Sequence, residues 1–163
     1  MIFMTWFFIP GNDLNNLSKR VMEYKERTQN RMYIADLLNH QAKQDARVLL
    51  NDCGIIPFFS REDIRFIDAQ CLNNADLTKS PFNKDMSLYA NYLDSEVKPD
   101  WVIINYYPEE SRGDYLTDLL EEKGFFKNYQ LVTVLKSGYY LNEKAPKEEK
   151  MIDFVYRIFK RSH

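Results

Sequence analysis

Histidine and cysteine are nearly absent from this sequence. Its 163 residues hold two of each: His40, His163, Cys53 and Cys71. Two cysteines cannot define a disulfide scaffold, and neither belongs to a C-x-x-C or zinc pattern. A four-ligand His/Cys metal site therefore has too few donors, and no metal is expected. No G-x-G-x-x-G turn is present to cradle a dinucleotide, and no G-x-x-x-x-G-K-[ST] loop or G-x-S-x-G elbow. No cofactor and no catalytic residue follow from the motifs. A triad would have to use His40, which falls on a predicted helix among Gln and Asn and reads better as a solvated residue. Glycine is scarce too, at five residues, which excludes a fibrous or linker-type chain. A basic excess is missing: 22 Lys+Arg stand against 24 Asp+Glu, for a net charge of −2. A phosphate-backbone binder normally carries one, so nucleic acid is not an expected partner.

What is present is an ordinary soluble mix, 45% hydrophobic and 28% charged, in a length that suits one domain. Aromatics are abundant, with eleven Tyr and eleven Phe. The most apolar stretch is Met1–Ile9, closed by Pro10-Gly11. It is about half the ~20 residues that a membrane span needs. It lacks the basic start and small-residue cleavage site of a signal peptide. Two readings stand: an edge strand or staple on the core, or the outer end of a membrane helix. The second suits Trp6 and the paired phenylalanines, which fit the interface belt. Residues 1–11 are thus a candidate apolar arm, and 12–163 a single α/β domain. An apolar arm left without its membrane would seek a partner, so a dimer through Met1–Ile9 is an expectation.

Apolar residues recur at steps of three and four from Leu14 through Val21, Tyr24, Met32, Ala35 and Leu38 to Ala42, predicting a long helix to about Gln44. Its other face, with Lys19, Arg20, Glu23, Glu26, Arg27, Asn30 and Arg31, should be wet. Arg47–Asp52 reads as a buried strand and Arg65–Gln70 as a second; Pro57 keeps Ile55–Phe59 from being a central strand. Residues 72–83 read as loop. Asp85–Val97 suits a helix stopped by Lys98-Pro99, and Trp101–Tyr107 a central strand. A helix opened by Ser111 or Asp114 runs to Lys123, with Gly124 just past its end. Tyr129–Leu135 and Tyr139–Asn142 read as a hairpin around Lys136-Ser137-Gly138. Lys147–Arg161 reads as an amphipathic helix with Met151, Ile152, Val155, Ile158 and Phe159 inward. The order implies an α/β fold: a mixed sheet whose parallel part precedes a C-terminal antiparallel hairpin, flanked by helices. Val48, Leu50, Ile67, Val102, Ile104, Val132 and Val134 are the expected core.

The carboxylates carry the only chemistry in view. Ligands of α/β sheets gather at the carboxyl ends of parallel strands. If strands 47–52 and 65–70 are neighbours, Asp52 and the Gln70–Asp76 loop face one crevice, where paired acids can bind a sugar hydroxyl or a cation. The alternative is structural: Asp52 closing an Asx turn, and Asp68 pairing with Arg61 or Arg65. Cys53 and Cys71 each follow one of these strands; they are either an extracytoplasmic disulfide or two buried thiols.

Residues 33–105 carry a pattern in a fixed order. It runs Asp45-Ala46-Arg47-Val48, Asn51-Asp52-Cys53-Gly54-Ile55-Ile56-Pro57-Phe58-Phe59-Ser60, Phe66-Ile67-Asp68, Leu72-Asn73-Asn74 and Lys98-Pro99-Asp100-Trp101-Val102. This resembles the soluble extracytoplasmic domain that follows the membrane helices of polytopic GT-C glycosyltransferases, the mannosyltransferase-like enzymes that use polyprenyl-phosphate sugars. The family's Gly-Leu is Cys71-Leu72 here, and Asn74 stands where an acid is usual, so either Asp76 supplies it or its role is lost. The resemblance implies a membrane-anchored protein on the periplasmic or extracellular face. Its catalytic carboxylate would lie elsewhere, among membrane helices, so this domain would be non-catalytic. Its partners would be the membrane-embedded part of the same parent and a sugar or lipid-linked acceptor, bound at a crevice of Asp52, Gly54, Asp68, Asn74 and Asp76. Two rivals remain: a free-standing small α/β transferase using Asp52, Asp68 and Asp76, and an interaction domain with no small ligand.

Overall fold

The computed structural model describes residues 13–69, 82, 85–141 and 151–162. Its first element is a long helix, α1 (Asp13–Gln41). At 1.5 Å per residue it is about 44 Å long. After a tight turn come β1 (Arg47–Leu50), a short helix α2 (Ile55–Phe59) and β2 (Arg65–Asp68). Pro57 sits inside α2, consistent with its exclusion from a central strand. Helix α3 (Met86–Tyr92) winds into a π-turn over Leu93–Val97. It stops at Lys98, which takes a left-handed conformation at φ 48° before Pro99. Then follow β3 (Trp101–Tyr107), the two-residue β4 (Arg112–Gly113) and α4 (Tyr115–Glu122). Two long strands, β5 (Tyr129–Leu141) and β6 (Met151–Arg161), complete the described chain.

The strands form one mixed sheet in the order β2-β1-β3-β6-β5, with β4 beside β3. β1 is parallel to both β2 and β3, whereas β6 is antiparallel to β3 and β5. The α/β fold with a parallel part and a C-terminal antiparallel pair is therefore present. Alternation along each strand splits the core in two. Val48, Leu50, Trp101, Ile103, Tyr156 and Ile158 pack against Ile34, Ala35 and Leu38 of α1 and Ile56 of α2. Leu49, Val102, Ile104 and Phe159 pack against Tyr89 and Leu93 of the α3 segment, Leu116 and Leu120 of α4, and Phe125. The sheet is thus sandwiched between two helical layers.

Local chemistry sets the ends of these elements. Asp85 caps α3 by accepting from the Ser87 N–H at 2.8 Å, and Asp114 caps α4 by accepting from the Thr117 N–H at 2.8 Å. Gly124, at φ 71°, ends the turn after α4 in the left-handed region that glycine tolerates. Asp100 clamps the starts of β1 and β3. Its carboxylate accepts from the Arg47 N–H at 2.9 Å and pairs with Lys43 at 2.7 Å, while its own N–H donates to the Arg47 carbonyl at 2.8 Å. Burial opposes ionisation of Asp100, but the Arg47 N–H and Lys43 outweigh it and hold the carboxyl below its usual range.

Several expectations fail, each for a physical reason. Residues 151–161 are a strand, not part of an amphipathic helix, because β3 and β5 offer two open edges that only an extended segment can pair. β5 runs straight through Lys136-Ser137-Gly138; what stood as a hairpin turn is a register irregularity between Lys136 and Gly138. Val132 and Val134 lie exposed on the edge strand rather than buried, and Ile67 is only half-buried. The inward stripe of α1 is rotated from the expected one: Ile34 joins Ala35 and Leu38 inside, Val21, Tyr24 and Met32 are exposed, and Arg31 turns inward. Among the described residues no helix is long and apolar enough to cross a membrane. Met1–Ile9, Cys71, most of the 72–83 loop and residues 142–150 lie outside the described residues.

Candidate functional site

β1 and β2 are neighbours in register, with Leu50 opposite Asp68. Both strands end at the same edge of the sheet, and the Asn51-Asp52-Cys53-Gly54 segment leaves it there. Asp52 is the hub. Its Oδ2 pairs with an Arg31 guanidinium nitrogen at 2.6 Å and accepts from the Tyr156 hydroxyl at 2.7 Å. Arg31 Nε donates to the same hydroxyl at 3.1 Å. A helix, a strand end and the C-terminal strand are thereby tied into one triangle. Burial opposes the charge on Arg31, but Tyr156 and Asp52 outweigh it and hold the guanidinium protonated beyond its ordinary range. The Arg31 and Asp52 side chains are 18% and 25% exposed, so solvent reaches the pair without surrounding it.

Asp68, opposite Leu50, is buried, and the Tyr89 hydroxyl donates to its backbone carbonyl at 3.2 Å. Of the two arginines considered for Asp68, Arg61 pairs with Asp63 at 2.9 Å and Arg65 with Asp45 at 3.3 Å. Cys53 stands between the two acids. Burial, then the charge and hydrogen bond of Asp68, then the charge of Asp52 push its thiol up to about 12. A thiol so shifted is protonated at neutral pH and is no nucleophile. Gly54 donates its N–H to Asp52 Oδ1 at 3.4 Å, the Asx contact foreseen as the structural alternative. Asp52 therefore closes the turn with one oxygen and holds the triangle with the other.

Asn105 stands opposite Tyr156 in the β3–β6 register, and its Oδ1 is buried without a partner. On the opposite face of the sheet, Asn51 Nδ2 bonds the Asp114 carboxylate, and the Oδ1 of Asn51 and the hydroxyl of Thr117 are buried without partners. Unpaired buried oxygens are rare in folded proteins and favour a hydroxyl-bearing or hydrated neighbour. The edge therefore offers carboxylate and amide acceptors, a hydroxyl and one guanidinium, a set suited to holding hydroxyl groups.

Of the sequence-derived candidates, Asp52, Gly54 and Asp68 come together; Asn74 and Asp76 lie outside the described residues. Arg31, Cys53, Asn105 and Tyr156 were not among them. Tyr156 was hidden by reading its segment as a helix, and Arg31 by placing it on the wet face of α1. His40 is exposed on α1, its Nδ1 2.8 Å from the Asp36 carbonyl oxygen. Among the described residues no three His, Cys, Asp or Glu side chains gather as a metal site would require.

A family model described as "Domain of unknown function (DUF8728)" matches residues 16–155. The match spans most of the chain, which belongs to that family. No curated protein and no solved structure matches the chain.

Proposed function

We propose that this DUF8728 domain is a non-catalytic, acceptor-binding extracytoplasmic domain of a membrane glycosyltransferase-like protein. In this reading it binds a sugar hydroxyl array at the carboxyl edge of β1 and β2. One observation carries the reading. The two acid-bearing pieces of the GT-C-like pattern, Asn51-Asp52 and Ile67-Asp68, are separated in sequence yet meet at one sheet edge, with Leu50 opposite Asp68. Of the remaining pieces, Asp100 of the Lys98-Pro99-Asp100 segment fastens β1 to β3, and Leu72-Asn73-Asn74 lies outside the described residues. The chemistry of the edge agrees with binding rather than catalysis. The Cys53 thiol is held protonated, and Asp52 is already engaged by Arg31 and Tyr156.

Saturation-transfer NMR on the full chain with methyl mannoside and other methyl glycosides at millimolar concentration tests the proposal. The expected result is transfer to ring protons that is lost in Asp68→Asn while the amide spectrum stays folded. No transfer from any glycoside, or transfer unchanged in both Asp52→Asn and Asp68→Asn, overturns it.

A further inference from the structure

The end of the sheet opposite the carboxyl edge holds a cavity of about 90 Å³, lined by Gln41, Lys43, Asp100, Trp101, Lys160 and Arg161. It lies where β1 and β3 begin and β6 ends. At that volume it has room for a few water molecules or one small ion. Three cations line it against one carboxylate. They come from distant parts of the chain: Lys43 follows α1, and Lys160 and Arg161 close β6.

The one carboxylate is already spent. Asp100 Oδ1 pairs with Lys43 at 2.7 Å, and Oδ2 accepts from the Arg47 N–H at 2.9 Å. Lys43 keeps two further donors, because an ammonium carries three. Lys160 stands opposite Trp101 in the β3–β6 register, its Nζ 5.2 Å from the centre of the indole ring. This cation–π contact holds the ammonium over the ring without giving it an acceptor oxygen. Arg161 donates one Nη1 bond to the Lys98 carbonyl at 3.3 Å, which leaves most of its guanidinium fork unspent. Among the described residues no carboxylate pairs with Lys160 or Arg161. The negative end of α1 does not call for these cations either, since Arg61 covers it by donating to the Asn39, Ala42 and Lys43 carbonyls.

Uncompensated charge of one sign focused in a concavity draws a counter-ion. A guanidinium fork beside two ammonium groups matches a tetrahedral oxyanion, whose oxygens accept from several directions at once. We propose that this cavity is a phosphate site, in which Lys43, Lys160 and Arg161 hold phosphate as the free ion or as the end of a small monoester. Gln41, exposed at the end of α1, adds an amide donor. The site is independent of the sugar-binding reading, because Asp52 lies beyond the other end of β1.

Amide NMR titration of the full chain with sodium phosphate tests it, at about pH 7.5, where phosphate is mostly dianionic. Sodium chloride at matched ionic strength is the blank. The expected result is a set of saturable shifts at residues 100, 101, 160 and 161, absent in chloride, with a millimolar or tighter dissociation constant. Lys160→Gln and Arg161→Gln should each raise that constant about tenfold, the weight of one charge-assisted bond. Neither side chain has an ion pair to lose, so both variants should keep the urea midpoint of the wild type. Glucose 6-phosphate and phosphatidylglycerol vesicles are the further arms. Tighter binding of the ester assigns a phosphorylated small molecule as the occupant, and tighter binding of inorganic phosphate assigns the free ion. Shifts that match those in chloride, an affinity unchanged in either variant, or binding to the vesicles with no shift from either soluble phosphate overturns the proposal.

Discussion

Asp52 joins three elements, so its removal should cost more than a surface ion pair does. Exposed pairs contribute about 0–1 kcal/mol, whereas breaking a buried pair costs about 3–5 kcal/mol. Arg31 and Asp52, at 18% and 25% exposed, lie between these limits. Asp52→Ala removes the carboxylate from Arg31 and from the Tyr156 hydroxyl together. It leaves Arg31 with that hydroxyl at 3.1 Å as its acceptor. One charge-assisted bond lost to each partner, partly offset by water reaching Arg31, gives about 2–3 kcal/mol. Tyr156→Phe removes hydroxyl bonds but keeps the ion pair and the buried ring, for about 1–1.5 kcal/mol. Because both changes act on one triangle, the double variant should fall short of their sum by about 1 kcal/mol. Urea unfolding followed by circular dichroism measures all three, with the m-value required to stay constant. The Asp52→Ala loss should also lower the melting temperature by roughly 4–12 °C, from about 2–4 °C per kcal/mol at this size. A loss below about 0.5 kcal/mol for Asp52→Ala, or strict additivity with Tyr156→Phe, would refute the claim that the triangle holds α1 to the sheet.

Two further outcomes follow from titrating groups. At pH 8 the Cys53 thiol, pushed up to about 12, should be alkylated by iodoacetamide roughly a thousandfold more slowly in the folded chain than in urea, with the site read by peptide mass spectrometry. Folded-state labelling at the denatured rate would contradict the shielding assigned to Asp68 and burial. Asp100 is depressed in the folded chain, so its stabilisation is present above the ordinary carboxylate value near 3.9 and is lost as pH falls below it. Asp100→Asn should therefore flatten the fall in stability between about pH 4 and pH 2, measured by urea midpoints; an unchanged acid limb counts against the clamp.

The parallel half of the sheet was legible because its strands are short apolar runs with clear ends, and the carboxyl-edge rule then singled out Asp52 and the Gln70–Asp76 loop, of which Asp52 lies within the described residues. The C-terminal half was not, because its segments fit two periods at once. Met151, Ile152, Val155, Ile158 and Phe159 match helical steps, yet Tyr156 and Ile158 line one face of a strand while Phe159 faces the other core. The β-branched and aromatic richness of Ile152–Phe159 was the signal that favoured a strand. Val132 and Val134 fit a buried strand in composition, and nothing local tells an edge from a centre. Arg31 was missed because a charged residue near the margin of an apolar stripe reads as solvated until its partner is known.

β6 is the last described strand in the chain, yet it lies between β3 and β5 in the sheet. During synthesis, β2, β1 and β3 can pair as soon as they emerge, but among the described residues β5 has no sheet neighbour until residues 151–161 arrive. This strand must therefore wait beside α1 while the chain is finished, the period when unpaired edges are most prone to wrong partners. Closing the sheet also brings Tyr156 to Asp52, so the polar triangle is completed only by the same late insertion. The carboxyl edge of β1 and β2 thus matures last, although the strands that form it are among the first to pair.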